Sequence, residues 1–85
     1  MVIWYRVYSD GWLEQGGRNT IQVQIFNVNL LKPYENTNYI SVGIQCNTEN
    51  AGFHTINVAS FSTTQVQLRQ QPIGYPIINW YTCGY

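Results

Sequence analysis

With 85 residues the chain has material for one hydrophobic core, so a single domain over residues 1–85 is expected. Four basic and four acidic residues cancel, and Arg6, Arg18, Lys32 and Arg69 form no cluster, which argues against nucleic acid as a partner because phosphate binding needs grouped cations. Charged residues make up only 9% of the chain, so solubility must rest on Asn, Gln, Ser and Thr, while 45% hydrophobic and 15% aromatic residues exclude a disordered chain. No apolar run approaches the ~20 residues of a membrane helix, and no basic segment followed by an apolar block suggests a signal peptide. The chain is therefore expected to be assembled in the cytoplasm or to be part of a longer protein.

Period-two alternation dominates the sequence. Val2 to Tyr8 is almost entirely aromatic or β-branched and reads as a strand packed on both faces. Ser9-Asp10-Gly11 supplies hairpin-turn chemistry. Trp12 to Gln15 reads as the returning strand, closed by Gly16-Gly17. Thr20 to Leu30 reads as one half-buried strand, with Ile21, Val23 and Ile25 on one face and Gln22, Gln24 and Phe26 on the other. Pro33 breaks the pattern across Lys32 to Asn38, since proline lacks the ladder donor.

Alternation resumes at Ile40, Val42, Ile44 and Cys46, with Tyr39, Ser41, Gly43 and Gln45 opposite. Asn47 to Gly52 reads as a polar loop. Ile56 with Val58, and Val66 with Leu68, mark two strands separated by Phe61 to Thr64. Pro72, Gly74 and Pro76 punctuate a loop from Gln70 to Pro76, and a last strand runs from Ile77 to about Cys83, before Gly84-Tyr85. No window favours a useful helix. About seven short strands predict an all-β fold, a small antiparallel β-sandwich or compact barrel.

Catalytic groups are scarce. His54 is the single histidine and reads as a satisfied or solvent-facing side chain. Asp10 and Glu14 are the one local carboxylate pair, better explained as a turn former and a solvated strand residue than as a glycosidase dyad. Gly16-Gly17 lacks the helix and lysine of a phosphate loop. Cys46 and Cys83 have no metal-type spacing and read as two reduced, mostly buried thiols, with a disulfide between them as the open alternative. No enzyme activity, metal or cofactor is expected.

Seven Tyr and three Trp form a heavy aromatic load, suited to cores and to recognition surfaces alike. Rings that stack on sugar faces beside amides that bond hydroxyls would make a lectin-like surface. Tyr34, Asn36, Asn38, Asn50, His54 and Tyr75 fall in predicted loops and are the candidate receptor-contacting residues; Asn47, Gln70 and Gln71 belong to the same amide-rich set. The competing reading is that these amides only keep a charge-poor surface wet. Sparse charge on strand edges also favours association with other chains.

Three blocks then converge on one family. Trp4-Tyr5-Arg6-Val7-Tyr8-Ser9-Asp10-Gly11-Trp12-Leu13-Glu14-Gln15-Gly16-Gly17, then Leu31-Lys32-Pro33-Tyr34 with Thr37-Asn38-Tyr39, then Trp80-Tyr81-Thr82-Cys83-Gly84-Tyr85 occur in order across nearly the whole chain. This pattern resembles the C-terminal receptor-binding domains of bacteriophage and prophage tail fibres. The resemblance implies a β-sandwich knob at the fibre tip in the virion, usually a homotrimer assembled in the host cytoplasm. It also implies attachment to a bacterial surface receptor, such as a lipopolysaccharide glycan or an outer-membrane protein. Tyr85 would then be the end of a longer fibre chain. Gly11 would serve the turn, and Trp4, Trp12 and Trp80 the core or subunit interface. The histidine-x-histidine iron motif of some needle-like tips is missing, as is any sign of a self-cleaving chaperone domain. A purely structural role, trimerising and capping the fibre without receptor contact, is the alternative.

Overall fold

The computed structural model describes residues 2–20, 23–46, 55–71 and 77–85. Among them are seven strands and no helix: β1 (Val2–Val7), β2 (Leu13–Thr20), β3 (Ile25–Asn29), β4 (Ile40–Cys46), β5 (Thr55–Ser60), β6 (Gln65–Gln71) and β7 (Ile77–Gly84). They form two antiparallel sheets, β1-β2-β7-β4 and β3-β6-β5, as expected of an all-β sandwich.

The core lies between the sheets. Leu13, Ile78 and Trp80 from the four-stranded sheet meet Val28, Val66 and Leu68 from the three-stranded one, with Tyr34 and Tyr39 filling one end. Buried polar groups are paired: the Trp80 indole donates to Asn19 Oδ1 at 2.7 Å, and Tyr34 Oη lies 2.7 Å from Thr82 Oγ1. At the open corner β4 is clasped to β5 by serines. Ser41 Oγ donates to the Val58 carbonyl at 3.1 Å and Ser60 Oγ to that of Tyr39 at 2.9 Å.

Four sequence expectations are corrected. Gly16 and Gly17 do not close a strand; they lie inside β2, where the Trp4 indole covers Gly16 so closely that a Cβ there would sit 2.9 Å from Cζ2. Thr20 to Leu30 is not one strand. The chain leaves the first sheet after Thr20 and enters the second at Ile25, where Val28 is buried and Ile25 exposed. β1 is not covered on both faces: as an edge strand it leaves Trp4, Tyr5 and Val7 exposed. Gln70 and Gln71 end β6 rather than start a loop, and the buried Gln70 amide donates to the Val23 carbonyl at 3.1 Å.

The alternation expected from Ile40 onward holds through Gln45, with its apolar side turned outward. Tyr39 points into the core, and Gly43 lets β4 approach β5, since a Cβ there would fall 2.3 Å from Val58 Cγ2. The register also settles the thiols. Cys46 pairs with Ile77 and Cys83 with Ile40, so the two cysteines stand at opposite ends of β7, roughly 20 Å apart. A disulfide needs Cα atoms within about 7 Å. Cys83 is a free thiol.

Candidate functional site

The cleft of interest is built where the β1–β2 turn, the segment between β3 and β4, and the end of β7 meet. Gly11 adopts φ +94°, the left-handed region that the Asp-Gly turn anticipates. Gly11 N donates to the Tyr8 carbonyl at 3.0 Å, and Asp10 Oδ1 accepts from Trp12 N at 3.0 Å. That fixes Trp12 at the turn exit, where its ring meets Tyr85 edge to face with centroids 5.1 Å apart. Tyr85 in turn donates its hydroxyl to Asp10 Oδ2 at 3.1 Å.

The segment from Leu31 to Asn38 belongs to no strand ladder, and side chains together with isolated backbone bonds such as Tyr34 N to the Thr63 carbonyl hold it instead. Buried Gln15 grips Lys32 twice, donating to its carbonyl at 2.7 Å and accepting from its amide at 3.0 Å. Tyr34 and Tyr39 stack in the core with centroids 4.1 Å apart. Tyr39 Oη donates to the Ser62 and Gln65 carbonyls, and Glu35 N donates to the Tyr85 carbonyl at 2.9 Å. Asn36 Oδ1 accepts from Asn38 N at 2.8 Å, an Asx turn that sets both amides at the surface.

The result is an open cleft of about 270 Å³ lined by Trp12, Asn36, Asn38, Tyr39, Ile40, Cys83, Gly84 and Tyr85. The Trp12–Tyr85 ring pair, small apolar groups and two amides suit a sugar-sized ligand with an apolar face and hydroxyl edges.

Two carboxylates border this end. The Trp12 amide, and then the Tyr85 hydroxyl, hold the Asp10 carboxyl below its usual range. Glu14 is likewise held down by the Tyr81 hydroxyl and then by that of Tyr8. Donating to these acids raises the Tyr81 and Tyr85 hydroxyls above ordinary phenols. Both acids are more acidic folded than unfolded, so their stabilisation is complete above the unfolded value near pH 4 and fades as pH falls through the lowered folded values. The melting temperature should therefore drop on acidification below about pH 4. The drop should be smaller in an Asp10→Asn/Glu14→Gln variant, and an equal drop in both proteins would contradict these assignments.

Of the residues singled out from sequence, Asn36 and Asn38 are brought together in the cleft. Tyr34 is not a surface residue. Its ring is 4% exposed and belongs to the core, which corrects its reading as a receptor contact. Asn50, His54 and Tyr75 lie outside the described residues. Trp12 and Tyr85 were missed as a pair because 73 positions separate them; the sign available was their place beside the Asp-Gly turn and the end of the last strand. Among the described residues no group of His, Cys, Asp and Glu is placed to hold a metal, and no helix is long and apolar enough to cross a membrane.

Comparison with protein-family models, characterised proteins and solved structures finds no match.

Proposed function

We propose that this chain is a phage tail-fibre tip domain that attaches to a bacterial surface glycan through the cleft between Trp12, Tyr85 and the Asn36–Asn38 turn. The observation that carries this reading is the cleft itself, an open aromatic and amide-lined recess rigidly held by buried Gln15, Tyr34 and Tyr39. The three sequence blocks behind the resemblance support it by meeting here. Trp12 belongs to the first, Asn38 and Tyr39 to the second, Cys83, Gly84 and Tyr85 to the third. Asn36 and Ile40 stand outside those blocks, at positions where sugar preference can vary.

Binding without bond cleavage is favoured by the state of the nearby acids. A glycosidase needs one carboxyl kept protonated by a raised pKa, whereas Asp10 and Glu14 are both shifted down. Asp10, Glu14 and Glu35 sit at this end against Arg6 and Lys32, a slight negative balance that suits a neutral or amino sugar better than an acidic one.

An immobilised panel of bacterial surface glycans tests the reading. The chain should be retained by at least one neutral glycan. Trp12→Ala should weaken retention about tenfold or more, equivalent to about 1.4 kcal/mol, while leaving the chain folded. Retention by no glycan of any candidate host, or equal retention of the variant, would sink it. A structural, assembly-only role is the second reading, and the apolar outer face of the four-stranded sheet favours it.

A further inference from the structure

The two outer faces of the sandwich differ sharply. On β3-β6-β5 the outward side chains are mainly amides and Arg69, several of them bonded to one another, with Ile25 the large apolar exception. Gln65 Nε2 donates to Asn29 Oδ1 at 2.7 Å, and Arg69 Nε to Gln67 Oε1 at 2.6 Å. Such a surface is at home in water. On β1-β2-β7-β4 the register sets three rows across the outer face. Ile40–Cys83–Glu14–Arg6 runs along one side, Val42–Tyr81–Gly16–Trp4 through the middle, and Ile44–Asn79–Arg18 along the other side. The aliphatic positions of β4 are among the most exposed large apolar side chains: Ile40 58%, Val42 53% and Ile44 63%. Trp4 is 42% exposed and lies flat over Gly16, 6.1 Å from the Tyr81 ring.

We propose that this face is covered by a second copy of the chain, packed face to face about a two-fold axis running along the Val42–Tyr81–Gly16–Trp4 row. Such an axis lays each strand antiparallel over its counterpart, compatible with the aligned packing of sandwiched sheets. It sets Val42 over Val42, Tyr81 over Tyr81 and Ile40 over Ile44 of the copy.

Charge complementarity selects this axis. Glu14 and Arg18 stand two residues to either side of Gly16, so the same rotation places Glu14 opposite Arg18 of the copy, twice per pair. Within one chain Glu14 accepts from the Tyr8 and Tyr81 hydroxyls and Arg18 Nε donates to Asn79 Oδ1 at 3.0 Å, which holds both groups on this face. A two-fold axis parallel to the strands would instead put Glu14 over Cys83 and Arg18 over Asn79, bringing no opposite charge to either.

The size of the face sets the strength of the pair. Four strands about 4.8 Å apart and seven residues of about 3.3 Å rise give a footprint of roughly 19 by 23 Å. Two such faces bury on the order of 900 Å² together, close to the ~1,000 Å² where specific interfaces begin. The pair is therefore reversible rather than obligate, and it differs from the three-fold assembly that the family resemblance implies. It does not rest on the glycan reading of the cleft, but the two share Ile40 and Cys83, so pairing would cover that side of the cleft.

Light scattering over a concentration series tests it. The mass of the intact chain should rise from 9.8 kDa toward twice that value as concentration rises. Val42→Glu places two like charges on the axis and should leave a single chain at every concentration, whereas Asn57→Glu, the same charge change on the outer face of the other sheet, should pair normally. Ile40→Lys and Ile44→Glu should each raise the dissociation constant at least about tenfold. Combined in one chain they face each other across the pair and should restore it. All these positions are exposed, and near-ultraviolet circular dichroism of the tryptophans confirms that each variant is folded. A single chain at all concentrations, a mass of three chains, or a double variant weaker than either single one overturns the proposal.

Discussion

Replacing Tyr34 with alanine is expected to cost about 3–5 kcal/mol of folding stability, the range for deleting a large buried ring. The ring is enclosed, stacked on Tyr39 and hydrogen-bonded to Thr82, and it anchors in the core a segment that belongs to neither sheet. A domain of this size has roughly 5–10 kcal/mol in all, so the variant should lose a large share of its margin and unfold at a much lower urea concentration. Tyr34→Phe separates packing from hydrogen bonding. It keeps the stack and loses the 2.7 Å contact with Thr82, for a cost of about 1 kcal/mol. Urea denaturation of the three proteins measures both differences. A Tyr34→Ala midpoint close to wild type would mean that the ring is not in the core, and would return Tyr34 to the list of surface contacts.

Gly84→Ala is the second substitution with a large expected effect. A Cβ at this position would lie 2.7 Å from Tyr39 Cβ and 3.0 Å from Tyr39 Cα. The obstacle is next to backbone rather than a flexible side-chain end, so either β7 or the start of β4 must move. The expected loss is about 1–3 kcal/mol, at the upper end because Tyr39 is also tied to Ser62 and Gln65. Gly84 also lines the cleft, so glycan retention should fall along with the denaturation midpoint. Gly11→Ala makes a useful contrast. Its Cβ would have room, with Tyr85 Cδ1 3.9 Å away, and the cost there comes from φ +94° instead, about 1 kcal/mol. If Gly84→Ala matched wild type, the close approach of β7 to Tyr39 would be wrong.

These two positions also show what the sequence could reveal and what it could not. Local chemistry was legible: the Asp10-Gly11 turn, the breaks at Pro33 and at Phe61 to Thr64, and the alternation from Ile40 to Cys46 all match the observed elements. Misreadings arose where a distant residue decided a local question. Gly16-Gly17 reads as a strand end until Trp4 is known to lie across Gly16 from the neighbouring strand. Tyr34 beside Pro33 reads as a loop surface, yet the open end of the sandwich needs a ring to close it. The alternation from Thr20 to Leu30 hides a change of sheet, because period-two patterning states which residues share a face and not which sheet owns it. Outward-facing Ile40, Val42 and Ile44 were legible as one face, but nothing local indicates which face turns to the core.

The site followed the same division. Asn36 and Asn38 were visible as loop amides, and the Asx turn that presents them follows from their spacing. Trp12 and Tyr85 become partners only through the β2–β7 ladder, which sets Leu13 opposite Gly84. A residue-by-residue reading has no access to that register.

The most direct measurement of the central claim is an NMR titration of the isotope-labelled chain with a glycan that retains it. Backbone amide signals of Trp12, Asn36, Asn38, Ile40 and Tyr85, and the Trp12 indole signal, are expected to move together and saturably. Signals from the outer face of β3-β6-β5 should stay in place. Shifts confined to residues away from the cleft, or none at saturating glycan, would contradict that claim.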